Sequence, residues 1–357
     1  MNIEKLGFNK WFQDKIDPEK LTDFQIVRVI AVDKNRYIVT NGEKDAFAEI
    51  TGKLLFNADS PLDYPVVGDW VYAKFFDDES FAIIHEIAPR KSLLKRKTAG
   101  KKVEFQLIAA NIDTAMIMQS LDFNYNIRRL ERYLVMIHEG NIHPIVLLSK
   151  SDLVVPDEIE KRKADIHRVM PAIHIMPFSN KDDSSVDGVK GLLTAGKTFC
   201  LLGSSGVGKT TLLNNLIGEV LFDTQAVREK DGKGRYTTSR RQLIILENGA
   251  MVIDTPGMRE LGNIDVGSGL SDTFSEIVAL SHQCRFSDCT HTREKGCAVL
   301  SALSEGIISH ERYRNYIKMK KESAHYEMSY LEKRRKDKQF GKFCKSAKKQ
   351  KKRIDNT

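Results

Sequence analysis

The chain has 357 residues, 41% of them hydrophobic and 29% charged, with a formal net charge of +8. That balance excludes a disordered chain, and the length allows two or three domains that each bury a core. No apolar run approaches the roughly 18 residues that span a bilayer, and the start "MNIEKLGFNK" lacks the apolar stretch of a signal peptide, so a cytoplasmic protein with no membrane partner is expected.

Residues 1–22 read as an N-terminal extension. Between 24 and 90 the segments "FQIVRVIAV", "RYIVT", "AFAEI", "DWVYAKF" and "SFAIIHEIA" have strand character, separated by turn signals such as Asn41-Gly42, Ser60-Pro61 and Gly68-Asp69. Five strands with one short helical piece near "GKLLF" predict a small barrel over 23–92, of OB type, with an SH3-like barrel as the other candidate. The run "PRKSLLKRKTAGKK", Pro89 to Lys102, reads as a basic connector.

From about 105 strands and helices alternate. "TAMIMQS" is a buried strand, and "NIRRLERYLVMIHEG" is an amphipathic helix with Leu130, Leu134 and Ile137 on one face and Gly140 at its end. "HPIVLLS", the helix "PDEIEKRKADIHRVM", "AIHIMPFS", "TFCLLG", the helix "KTTLLNNLIG", "RQLIILE" and "AMVIDT" follow. This alternation predicts an α/β domain over 93–265, its sheet parallel and covered on both faces. Short helices around a cysteine cluster, then a long polar helix, occupy 266–330, and 331–357 is a basic tail. Lys333 to Arg353 holds twelve Lys or Arg against one acid, Asp337, which leaves the remainder of the chain net negative. A polyanion, and in the cytosol nucleic acid above all, is the expected partner of that tail.

"GSSGVGKTT" fits the phosphate loop G-x-x-x-x-G-K-[ST], with Gly203, Ser204, Ser205, Gly206, Val207, Gly208, Lys209, Thr210 and Thr211 at the turn between a strand and a helix. Its glycines let backbone N–H groups turn inward around phosphate oxygens, Lys209 meets the β and γ phosphates, and Thr210 offers a hydroxyl to Mg²⁺. In "VIDTPG", Asp254 ends a strand where it can hold the same Mg²⁺ through water, and the Gly257 N–H can reach the γ phosphate. Between the two lies "GKGRYTTSRRQL". Thr238, with Thr237 close behind, is the candidate for a switch threonine that orders this segment when a triphosphate is present. Cys200 reads as a small buried hydrophobe.

"SKSD", Ser149, Lys150, Ser151 and Asp152, follows a strand. Lys150 can lay its stem over a base, and the two oxygens of Asp152 match the adjacent N–H donors of guanine, which adenine lacks. The later "FSN", Phe178 to Asn180, can supply a backbone contact to the base carbonyl.

This base loop precedes the phosphate loop, the reverse of the usual order. The sequence resembles the RsgA (YjeQ) family of circularly permuted GTPases that act on the small ribosomal subunit. "SKSD", "GSSGVGKT", "DTPG", "CRFSDCTHTREKGC", "AANIDTAMIM" and "PRKSLLKRK" carry the likeness over nearly the whole chain. The resemblance implies a five-stranded OB-type barrel, a circularly permuted P-loop GTPase domain and a C-terminal helical zinc-binding domain. It implies a monomer that binds GTP and GDP, the 30S subunit and its rRNA, and acts late in subunit maturation. Cys284, Cys289, His291 and Cys297, spaced C-x4-C-x-H-x5-C, supply three thiolates and one imidazole for a structural Zn²⁺; His282 nearby reads as an exposed side chain.

Three positions depart from the family pattern. Tyr236 stands where a histidine usually helps place the attacking water, and a tyrosine is too weak a base to ionise at neutral pH, although its hydroxyl can orient water. Met258 follows "DTPG", so no glutamine is there to position water. Slow hydrolysis that depends on the partner is therefore expected. Ser149 replaces an asparagine and is too short to make both of its bridging contacts. Two rival readings stand beside the GTPase: an rRNA-binding nucleotide switch with negligible hydrolysis, and an RNA-binding scaffold with a vestigial nucleotide site, against which intact Lys209, Thr210 and Asp254 argue.

Overall fold

The computed structural model describes residues 3–33, 36–97, 105–219, 241–254 and 268–327, in two compact units that divide between Gln283 and Cys284. Tyr236, Thr237, Thr238, Gly257, Met258 and the basic segment from Lys333 lie outside the described residues.

The chain begins with a stretch folded onto the barrel. It contains one short helix, α1 (Lys10–Gln13), whose first turn is capped by Asn9, the side chain accepting the Trp11 N–H at 3.0 Å. Phe8 and Phe12 pack with Ile26, Trp70 and Tyr72, and Phe8 meets Trp70 edge-on with ring centroids 4.9 Å apart.

The barrel comprises β1 (Gln25–Asp33), β2 (Arg36–Thr40), β3 (Asp45–Ile50), α2 (Gly52–Asn57), β4 (Trp70–Phe76) and β5 (Phe81–Ile87). The strands pair in the order β1-β2-β3-β5-β4, and β4 returns to β1, closing the ring. The β3–β5 pair is parallel and the others antiparallel, with α2 bridging β3 to β4. This is the OB arrangement, which settles the choice between the two small barrels. Small and β-branched residues fill the interior, among them Val27, Val29, Val39, Ala48, Ala73 and Ala82.

The basic connector turns out to carry a strand. Its β6 (Leu93–Lys97) pairs antiparallel with β7 (Phe105–Ala110). Leu94 is fully buried and Arg96 Nε donates to Gln106 Oε1 at 2.9 Å across the pair. The density of positive charge masks this strand in the sequence: of its five residues only Leu94 is fully buried, with Leu93 half-buried against Val66, Leu107 and Ala110.

Next come β8 (Thr114–Ser120), α3 (Ile127–Glu139), β9 (His143–Ser149), α4 (Pro156–Val169), β10 (His174–Pro177), α5 (Asp183–Gly191), β11 (Thr198–Gly203), α6 (Lys209–Ile217), β12 (Arg241–Ile245) and β13 (Met251–Asp254). Their sheet order is β10-β9-β8-β11-β13-β12. Five strands are parallel as expected, but β12 runs antiparallel to β13. Only Leu246–Ala250 joins those two, with Gly249 at φ +79°, and so short a turn can return the chain only in the opposite direction. On its other edge β12 pairs with β1, through Ala31 with Gln242 and Val32 with Arg241. Barrel and α/β domain thereby share one continuous sheet.

Gly140 serves a different purpose from the one its position suggests. It has right-handed φ, and Asn141 next to it adopts φ +54°; a Cβ on Gly140 would lie 2.7 Å from the Leu93 carbonyl oxygen. Glycine is there for close approach of β6, not for a left-handed cap. Helices α7 (Ser268–Thr273) and α8 (Ser275–Ser281) complete the first unit, and Gly269 presses so closely on α3 that a Cβ would meet the Val135 carbonyl oxygen at 2.2 Å. The second unit contains α9 (Ala298–Ser304) and α10 (His310–Glu327).

Arg28 on β1 ties these parts of the first unit together. Its guanidinium is fully buried and donates to the Leu6, Gly68 (3.4 Å) and Asn111 (3.3 Å) carbonyl oxygens and to the Thr198 hydroxyl (2.8 Å), while lying 5.4 Å from the Trp70 ring centre. Burial pulls its pKa down to about 10, opposed by Asp113 and Asp69, so it remains charged at neutral pH. Arg28→Met should destabilise the first unit by about 3 to 5 kcal/mol, because several buried acceptors lose their donor together. Urea unfolding followed by tryptophan fluorescence checks this; a loss below about 1 kcal/mol would mean the acceptors find other donors.

Candidate functional site

The C-terminal ends of β8, β9, β10, β11 and β13 lie along one edge of the sheet. The chain leaves β8 toward β9 and β10, whereas β11 leads to the other side through β13. The crevice between β8 and β11 is therefore the topological switch point, where ligands bind in open α/β sheets.

The phosphate loop springs from β11. Gly203, Gly206 and Gly208 have φ of +149°, +80° and +95°, conformations that side chains resist. Space is also closed: a Cβ on Gly203 would come within 2.6 Å of the Met118 carbonyl oxygen, and one on Gly208 within 2.6 Å of Asn180 Nδ2. Lys209 opens α6, its ammonium donating to the Gly203 and Ser204 carbonyl oxygens at 2.7 and 2.8 Å. Thr210 and Thr211 follow in the first turn, and Val207 is buried below. Asp254 ends β13, the strand next to β11, in register with Gln242 of β12. Cys200, fully buried in β11, has its thiol pKa pushed up by burial.

The "SKSD" loop is held from both sides. Leu121 N–H donates to the Ser149 carbonyl at 2.9 Å and Ser151 N–H to the Phe178 carbonyl at 3.2 Å. Ser149 is fully buried, and its hydroxyl donates to the Val207 carbonyl oxygen at 2.7 Å. That hydroxyl thus ties the base loop directly to the phosphate loop. Lys150 sits at φ +61°, a conformation that non-glycine residues adopt mainly at constrained sites, and its ammonium pairs with Asp122 at 2.7 Å. Asp152 accepts from the Ser179 hydroxyl at 2.7 Å and from the Lys181 ammonium at 3.0 Å. Those two contacts hold its carboxyl below the ordinary range against a smaller opposing effect of burial.

Two contributors, Asp122 and Asn124, are not singled out by the sequence, and Asn180 acts through its side chain as well as the backbone contact expected of "FSN". Burial opposes ionisation of Asp122, but hydrogen bonds from Lys150, Ser120 and the Asn124 N–H outweigh it and hold the carboxyl below its usual range. Asn124 Nδ2 donates to Ser204 Oγ at 3.1 Å and the Ser205 carbonyl at 3.2 Å. Asn180 Nδ2 donates to the Gly208 carbonyl at 3.1 Å. Ser205 Oγ and Asn180 Oδ1 are buried atoms with no protein partner among the described residues, as befits polar groups lining a ligand site. The available signal was "DFNYN", a polar run at the end of a parallel strand.

In the second unit the donor atoms of Cys284, Cys289, His291 and Cys297 all lie within 4.8 Å of one another. Cys284 Sγ is 3.8 Å from Cys297 Sγ and 3.6 Å from His291 Nδ1, which is 3.5 Å from Cys297 Sγ. Tetrahedral zinc with bonds of about 2.3 Å to sulfur requires edges of about 3.8 Å, so the residues present fit a closed four-coordinate ion. Glu294 braces the loop through the Thr290, Thr292 and Arg293 N–H groups, and the Tyr313 hydroxyl donates to the His291 carbonyl at 2.5 Å. His282 is exposed and outside the cluster.

Residues 87–264 match the model of the RsgA GTPase family. A Lactiplantibacillus plantarum protein named small ribosomal subunit biogenesis GTPase RsgA 2 is 42% identical over 329 residues, 91% of this chain and 90% of its own. One from Bacteroides thetaiotaomicron, small ribosomal subunit biogenesis GTPase RsgA 1, is 37% identical over 355 residues, 98% of both. The crystal structure of YjeQ from Thermotoga maritima has a TM-score of 0.61 at 24% identity, covering 84% of this chain and 99% of that one. YloQ, a circularly permuted GTPase, has a TM-score of 0.60 at 24% identity, covering 86% and 97%. At that identity these two structures bear on the fold alone.

Proposed function

Because the chain belongs to the RsgA GTPase family, we propose that it hydrolyses GTP to GDP and phosphate during late maturation of the small ribosomal subunit, stimulated by the 30S particle. The single observation that carries this reading is the convergence of the base loop and the phosphate loop at the switch point, joined by the Ser149 hydroxyl on the Val207 carbonyl.

The backbone N–H groups of Gly203 to Thr211 surround the phosphates. Lys209, already folded over that loop, exchanges its carbonyl contacts for β and γ phosphate oxygens. Thr210 and Asp254 are the residues that would hold Mg²⁺, which neutralises phosphate charge when bound. Asp152, ionised, accepts from the guanine N–H groups, and the Lys150 stem covers the base. Thr238 or Thr237, Tyr236 and Gly257 complete the γ-phosphate side. The Cys284, Cys289, His291 and Cys297 site holds one structural Zn²⁺.

The barrel and the tail from Lys333 contact rRNA, so binding should weaken steeply with salt. The protein acts as a cytoplasmic monomer, with 1–22, 23–92, 93–265, 266–330 and 331–357 as its functional divisions. Among the described residues no helix is long and apolar enough to cross a membrane.

Phosphate release from GTP and from ATP, alone and with purified small subunits, tests the reading. GTP should be strongly preferred and its turnover raised by the subunit; equal use of ATP would overturn the role of Asp152, and no stimulation would favour the nucleotide switch.

A further inference from the structure

The outer face of the barrel carries an aromatic row that no part of the nucleotide site uses. Phe47 of β3 pairs in register with Phe81 of β5, which pairs in register with Phe76 of β4, so the three side chains project from one face of the sheet. Phe47 is 65% exposed and Phe76 41% exposed. Ile38 of β2 extends the row beyond Phe47, and Ile83 of β5 lies on the same outward face. Scattered exposed apolar residues need no explanation, but a contiguous row across four strands marks a contact surface.

The charge around the row decides what it can contact. Two loops border it, one with Glu43 and Lys44 that runs into Asp45 at the start of β3, and one with Asp77, Asp78 and Glu79. The Lys44 ammonium is already paired with Glu79 at 3.4 Å, which joins the two loops beside the rings. An acidic border repels nucleic acid phosphates; the same outward face carries two cations, Arg36 on β2 and Lys74 on β4, each two residues along its strand from the aromatic row, but beside the rings themselves acidic side chains prevail, unlike the basic groove of a stacking platform for single strands. A cationic side chain gains from both features at once: its charge from the carboxylates, and its stem or guanidinium plane from the phenyl faces.

We propose that this face docks an extended Lys/Arg-rich segment of a protein partner. The cationic side chains lie across Phe47, Phe81 and Phe76, and their charges meet Asp45, Asp77 and Asp78. Contacts of the barrel with rRNA then fall on its other surfaces.

The test uses the full chain and two probes, an arginine–glycine decapeptide and a ten-nucleotide single-stranded RNA of mixed sequence, each labelled for fluorescence anisotropy. Phe47→Ser with Phe76→Ser should weaken peptide binding by about tenfold and leave RNA binding unchanged. Asp77→Lys with Asp78→Lys should weaken the peptide similarly and not the RNA. Basal GTP hydrolysis, which these surface positions do not touch, verifies that the variants are folded. Carbodiimide cross-linking of a lysine-containing version of the peptide should label Asp45, Asp77 or Asp78. Loss of RNA binding in place of peptide binding would assign the face to nucleic acid. Cross-links from these carboxylates to the chain's own Lys333–Arg353 segment, persisting with peptide in excess, would replace the partner with an internal one. Either result, or unaltered peptide affinity, overturns the proposal.

Discussion

Stripping the metal from the cysteine–histidine cluster should unfold the second unit. Among its described residues the buried apolar side chains are few, chiefly Val299, Ala302, Ile308, Tyr316 and Met319, and three of the four metal donors, Cys289, His291 and Cys297, are themselves among the most buried. A core of this size stabilises little by itself, whereas structural zinc in small domains contributes on the order of 10 kcal/mol of apparent folding free energy. Amide hydrogen exchange over 284–327 with and without a strong chelator reads the effect directly. Protection should collapse after chelation and return with zinc, and Cys289→Ser should behave like the chelated protein. Elemental analysis should find one zinc per chain. Protection that survives both treatments would show that α9 and α10 hold together without the ion.

Asp152→Asn should lower GTP affinity by roughly a thousandfold or more while restoring binding to xanthosine triphosphate. The carboxylate is acceptor-only when ionised, and the Ser179 and Lys181 contacts keep it so at neutral pH. An asparagine can still accept from Ser179, but its amide then points an N–H at the guanine N–H groups, leaving donors facing donors in a partly buried site. Xanthine carries a carbonyl where guanine has its amine, which suits the amide. Equilibrium binding of fluorescent GTP and of xanthosine triphosphate to both proteins decides the matter. Retained GTP affinity would mean that the base is read elsewhere, with the Ser179–Lys181 segment the first place to look.

Much of the site was legible because phosphate and base recognition use short, contiguous stretches. "GSSGVGKTT" specifies its own turn, since left-handed φ at Gly206 and Gly208 requires residues without a Cβ. "SKSD" likewise declares its chemistry within four residues. The metal site was visible for the same reason, with four donors inside one short loop.

The partners of those residues were hidden. Lys150 meets Asp122, 28 positions earlier, Asp152 meets Ser179 and Lys181, and Ser149 reaches Val207, 58 positions later. Each pairing is created when parallel strands bring distant loops to one edge of the sheet, and nothing local marks the partner. The strand in "SLLKRK" was missed because its charge conceals a single fully buried leucine.

The sequence by itself determined the order of the motifs, hence the permutation, together with the existence of the barrel strands and of the α/β alternation. These follow from periodicity and from local backbone demands, which each segment carries within itself. Only the tertiary structure decided that β4 closes on β1 and β3 runs parallel to β5. It alone joined β12 to β1 in one sheet and buried the Arg28 guanidinium among carbonyls from three separate stretches of chain. Those outcomes depend on hydrogen bonds between backbones far apart in sequence, and since every strand offers the same donors and acceptors, side-chain pattern within one segment cannot say which of them will meet.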